Sequence, residues 1–142
     1  MPYAIGTVLA SLIALFLRAT GFDRDRAVYP TLLIVIALYY VLFAVMGGSV
    51  RALGLELVAM LVFAVGAVLG FRISLWWAVA ALAGHGVFDF FHGRWIANPG
   101  VPAWWPAFCG AYDVIFAAWL AGFLIRRRLR ARGPESGIPS ES

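Results

Sequence analysis

Charge is what this chain has least of. Only 13% of its 142 residues are Asp, Glu, Lys or Arg, against 63% that are hydrophobic. A soluble domain of this size is usually about half apolar and one-quarter charged. With a mean hydropathy of +0.90, too little polar surface remains to coat a water-soluble fold, so lipid must act as the outer solvent. Cysteine is nearly absent as well. The single Cys109 excludes an internal disulfide framework. Lysine is missing altogether, and the net charge of +4 is carried by eleven arginines. Five of them lie between Arg126 and Arg132, directly after an apolar stretch. A juxtamembrane cluster of this kind is a topology signal or an anionic-lipid contact, and nucleic acid is not the expected partner.

What is present is a series of apolar runs bounded by charge, Gly or Pro. They cover Tyr3–Leu17, Tyr29–Met46, Ala52–Phe71, Ile73–Phe91 and Ala107–Ile125. A helix rising 1.5 Å per residue needs about twenty residues to cross a hydrocarbon core. The expected fold is therefore all-α, a polytopic integral membrane bundle of five transmembrane helices. Four is the alternative, because the first run is the shortest. Residues 1–130 form one transmembrane domain. Residues 131–142 are expected to be a disordered cytoplasmic tail, since from Gly133 onward the chain is Pro, Gly, Ser and Glu with almost nothing apolar. The N-terminal run has no positive n-region and no A-x-A cleavage pattern, and reads as a retained first span.

Orientation comes from the arginines. An inward C-terminus also puts Arg18, Arg24, Arg26 and Arg72 inside, leaving only Arg51 and Arg94 outside. The expected location is the cell membrane, multi-pass, with the C-terminus cytoplasmic. Trp76 and Trp77 then open the fourth helix at the inner face. Trp95, Trp104 and Trp105 sit at the outer one, where amphipathic rings favour the headgroup layer. Pro30 and Pro106 fall in first helical turns, where a missing N–H costs little. The loop Gly21–Pro30 alternates Asp and Arg and reads as a solvated, self-paired turn. Gly66 and Gly70 mark a helix-contact face.

Few ionisable groups remain inside the spans: Glu56, His85, Asp89 and Asp113, with His92 at a helix boundary. Each costs about 2.5–3.5 kcal/mol at the centre of a bilayer, so such residues are functional candidates that must share a polar interior. In the inferred orientation, helices three, four and five bring them to one level in the outer half. His85, Asp89 and His92 stand at i, i+4 and i+7, within an arc of about 60° on one helix face. Imidazole nitrogen and carboxylate oxygen suit a divalent metal, Zn or Fe. The expected ligands are His85, Asp89, His92 and Asp113. Glu56 and Asp113 are the catalytic candidates, as ligand or as general base toward a metal-bound water. Cys109 lies four residues before Asp113 and can join its face. Taken alone, His92 beside Gly93 reads as a helix-end cap or interfacial residue. One of Tyr39 and Tyr40 is expected to hydrogen-bond into the cluster.

His, Asp and Glu at one membrane level are similar in style to the intramembrane metal-dependent hydrolases of the ceramidase-like group. Helix number and motif order differ, so no residue is carried over. The expected function is a metal-dependent, hydrolase-type membrane enzyme acting on a lipid-like or small amphipathic substrate among membrane lipids, with no nucleic acid. A homo-oligomer is compatible with this. The alternatives are a transporter or proton-coupled conduit using the same cluster, and a non-catalytic membrane assembly or partner protein in which the cluster is a structural lock.

Overall fold

The computed structural model describes residues 1–132, and these contain five α-helices and no strand. The helices are α1 (Pro2–Thr20), α2 (Val28–Met46), α3 (Val50–Arg72), α4 (Leu75–Trp95) and α5 (Trp105–Ala131). The expected tail, Gly133 to Ser142, lies outside the described residues. Loops are short, and local chemistry sets where each helix stops and starts. α1 ends on Gly21, whose φ of 78° suits a residue without a side chain. Ser49 and Ser74 cap α3 and α4, their side chains accepting from the backbone N–H of Ala52 and Trp76. Proline stands in the first turns of α1, α2 and α5.

α1, α2, α3 and α5 are each long and apolar enough to cross a membrane by length and composition. α1, the least expected of the spans, is a helix of 19 residues. α4 has 21 residues, enough length for a span, but it carries His85, Asp89 and His92. It packs against α2, α3 and α5, so its polar side chains meet protein on three sides. Distribution by burial is the reverse of a soluble protein's. Glu56, His85, Asp89, His92 and Asp113 are all buried, while Leu12, Leu15, Val35, Val62, Val65 and many other apolar side chains are exposed. A surface of this kind belongs in lipid.

Helix contacts are made through small residues. A Cβ on Gly66 or Gly70 would fall 2.7 or 2.9 Å from the Cβ of Ala81 or Ala78 in α4, so the Gly66/Gly70 face is the α3–α4 contact. Between α4 and α5, a Cβ on Gly86 would lie 3.1 Å from the Gly110 carbonyl oxygen, and one on Gly110 equally close to that of Gly86.

Three local expectations are corrected. α4 continues to Trp95, so His92 lies in its last turn, where its side chain is buried and turned to Glu56 and does not cap the helix end. α5 runs on through the arginine cluster to Ala131. The loop after α1 is self-paired only in part: Asp25 accepts from the Ala27 N–H at 2.8 Å, while Asp23 is buried and bonded to Arg18 of α1 at 3.1 Å. Arg26 donates to the Gly70 carbonyl at the end of α3. Those two arginines fasten the loop to neighbouring helices, Arg18 of α1 holding the loop's buried Asp23 and Arg26 of the loop holding a carbonyl left free at the end of α3.

Candidate metal centre

α4 and α5 touch backbone to backbone at Gly86 and Gly110, and that closeness puts the side chains next to the contact within hydrogen-bonding range. His85 Nδ1 lies 2.7 Å from Asp113 Oδ2 and 3.6 Å from Asp89 Oδ2. An ionised carboxylate only accepts, so with both acids charged the imidazole N–H donates. The Cys109 thiol stands one turn before Asp113 on α5 and directs Sγ to Asp113 Oδ2 at 3.9 Å, a weak contact. Tyr40 reaches across from α2 and donates its hydroxyl to Asp89 Oδ1 at 2.6 Å.

His85, Asp89, Cys109 and Asp113 each offer one ligand-type atom, and these four atoms lie within 4.8 Å of one another. All four residues are buried. Among the described residues, Asp89 Oδ2 and Asp113 Oδ1 have no hydrogen-bond partner. Unpaired buried carboxylate oxygens are costly, and a cation bound in the cluster would offer them a partner. The cluster can therefore hold a metal ion.

The predicted site residues separate into two groups. His85, Asp89 and Asp113 come together, with Cys109. His92 does not join them: its Nε2 is 2.7 Å from Glu56 Oε1 on α3. Spacing of i and i+7 returns a residue to the same helix face, but about 10 Å farther along the axis, too far for His85 and His92 to share one ion. Around His92, Asn98 donates to Glu56 Oε1 at 2.9 Å and to the Tyr40 carbonyl at 3.1 Å. This amide pins the loop between α4 and α5 over the second group. Asn98 carried no signal in the sequence, because a polar residue among loop prolines is unremarkable until its partner on α3 is known.

Tyr40 links the two groups. Its hydroxyl holds Asp89 while its ring stacks on His92, with centroids 4.2 Å apart. Tyr39 instead faces outward against Trp105, so of the expected pair Tyr40 is the polar partner. Glu56 and His85 also line a common narrow void with Tyr40, Met60, Phe63 and Phe88, too small to admit a water molecule. Glu56 Oε2 is unpartnered. On the side of His85 away from His92, Ala67, Ala78, Leu82, Phe116 and Leu120 form a buried apolar layer. The candidate ligands all lie on one side of this layer, and a separate buried polar contact, the Tyr29 hydroxyl donating to the Asp23 carbonyl, lies where α2 begins.

On the other side of Cys109 an apolar groove of about 700 Å³ opens laterally between α1, α2 and α5, with Ile5, Leu32, Tyr39, Trp105 and Tyr112 among its lining. Compared with known family models, curated proteins and solved structures, the chain matches none.

Proposed function

We propose that the protein is a metal-dependent membrane enzyme of hydrolytic type, acting on a lipid-like or small amphipathic substrate. The observation that carries this reading is the convergence of four buried ligand-type side chains, two of which are carboxylates that each keep an unpartnered oxygen. In the proposed site His85, Asp89 and Asp113 are the ligands of a Zn or Fe ion. Cys109, the most weakly engaged member, is the fourth ligand or leaves that position open. A thiol, an imidazole and two carboxylates form a donor set suited to these metals and poor for Mg or Ca. A divalent ion there supplies Lewis acidity, the usual means of activating water and polarising a carbonyl or phosphoryl group.

The remaining residues have separate tasks. Tyr40 fixes Asp89, and His92 with Asn98 fixes Glu56. Glu56 shares a void with His85 and retains a free carboxylate oxygen, so it is the proposed proton acceptor. Opening that void requires Met60, Phe63 or Phe88 to move aside. The lateral groove reaching Cys109 supports an amphipathic substrate arriving from the bilayer, because its walls are almost wholly apolar.

Purified protein stripped with a chelator and reloaded with Zn or Fe tests the reading against a panel of lipid esters, amides and phosphoesters. Cleavage that appears on reloading and is lost in Glu56→Gln, with metal content unchanged, is the expected result. Equal rates for stripped and reloaded protein across the panel would overturn it. The conduit alternative is less well supported, because the apolar layer beneath His85 gives a proton or ion no inward continuation.

A further inference from the structure

A second groove, of about 610 Å³, runs between the C-terminal halves of α1 and α5, at the opposite end of the bundle from Trp104 and Trp105. Its floor is apolar, made by Ala14, Leu15, Ile115, Trp119 and Phe123, and its rim carries Arg18, Arg126, Arg127 and Arg130. We propose that this groove is a binding site for an anionic phospholipid, with its acyl chain along the floor and its phosphate among the four guanidinium groups.

Level and direction both fit. Arg126 follows Trp105 by 21 positions on one helix, which is about 31 Å and close to the thickness of a hydrocarbon core. With the tryptophans at one interface, these arginines reach the other, where phosphates lie. On α5, Arg126, Arg127 and Arg130 stand at i, i+1 and i+4 and share one side, whereas Arg128 is turned about 200° from Arg126. Arg128 is occupied elsewhere, with its guanidinium over the Trp76 ring at 5.5 Å. Arg126 is folded back so that Nε donates to the Gly122 carbonyl at 3.2 Å, which draws its guanidinium toward the groove.

Charge at the rim is unbalanced. Among the described residues, Arg18 alone of the four has an acidic partner, Asp23 at 3.1 Å. Like charges at i, i+4 repel, and a phosphate between Arg126 and Arg130 relieves the repulsion while accepting charge-assisted hydrogen bonds from planar donors. The apolar floor selects a phosphate that brings an acyl chain over one that does not. This site lies away from the metal cluster and does not depend on its chemistry.

The test uses the full chain in detergent, where membrane topology plays no part, and counts retained lipid by native mass spectrometry. The probes are phosphatidylglycerol and phosphatidylcholine of the same acyl composition, with inorganic phosphate as a competitor. The expected result is about a tenfold preference for phosphatidylglycerol, unaffected by millimolar inorganic phosphate. The preference should disappear in the combined variant Arg126→Gln, Arg127→Gln, Arg130→Gln and persist in Arg128→Gln. Leu15→Trp fills the groove while keeping every charge, and should lower retention without changing the fold. Equal retention of the two lipids by the wild type, displacement by inorganic phosphate, or full retention by Leu15→Trp would each overturn the proposal.

Discussion

At the residue scale, the site is built from polar groups that lack alternatives. Tyr40 is the clearest case, since its hydroxyl is the donor to Asp89 Oδ1 and both residues are buried. Tyr40→Phe keeps the ring and its stacking on His92 but leaves that oxygen unpaired. The expected loss is about 1–2 kcal/mol, measured by reversible unfolding in detergent. Asn98→Ala removes two donated bonds and frees the outer loop, and should raise hydrogen exchange over the segment Ile96–Trp104 with little change in α5. The histidines and acids of the two groups were legible in the sequence because charge inside a span is expensive. How they pair was not. Helical spacing reports the angle between residues, while the separation of His92 from His85 depends on rise. His92 then found its partner on a helix 36 positions away. Between Tyr39 and Tyr40 no choice was available either, since α2 is apolar on every side.

At the scale of elements, the α4–α5 contact is what makes the cluster. Gly86 and Gly110 let the two backbones meet, and a Cβ on Gly86 would also lie 2.9 Å from Val114 Cγ2 and 3.3 Å from Asp113 Cβ. Gly86→Val should push the helices apart, cost about 2–3 kcal/mol and separate His85 from Asp113. Gly93→Ala, on the same helix with nothing within 4 Å of the added atom, should be nearly neutral. Thermal unfolding of the two variants in one detergent distinguishes them. The helices themselves were readable from length and hydropathy, with ends misplaced by up to six residues (Tyr3–Leu17 against Pro2–Thr20, Ala107–Ile125 against Trp105–Ala131). Apolar runs mark where lipid begins. Helices continue past that point into the interface, as α5 does through its arginines. α4 is the instructive exception: Trp77, Val87, Phe90 and Phe91 face outward, but the side packed against α2, α3 and α5 carries the polar residues that lower its apolarity, and with α5 it supplies the site.

At the scale of the whole molecule, burial is inverted, with acids and imidazoles inside and aliphatic side chains outside. Orientation remains a proposal from the arginine distribution, with the C-terminus cytoplasmic. Ala97→Cys lies on an exposed loop position and should be labelled in intact cells by a membrane-impermeant maleimide, whereas native Cys109 is buried and should stay unlabelled. Labelling of Ala97→Cys only after permeabilisation would reverse the orientation and put the metal cluster in the inner half. A polar network that only locks helices together would share all of this architecture and differ in one respect, that it needs no ion. Metal content per chain of the purified protein therefore decides between the two. A metal centre at His85, Asp89 and Asp113 predicts about one equivalent of Zn or Fe in wild type and in His92→Ala, and loss of most of it in His85→Ala and Asp113→Asn. Wild-type protein without metal after reconstitution, or content unchanged by His85→Ala and Asp113→Asn, would contradict it.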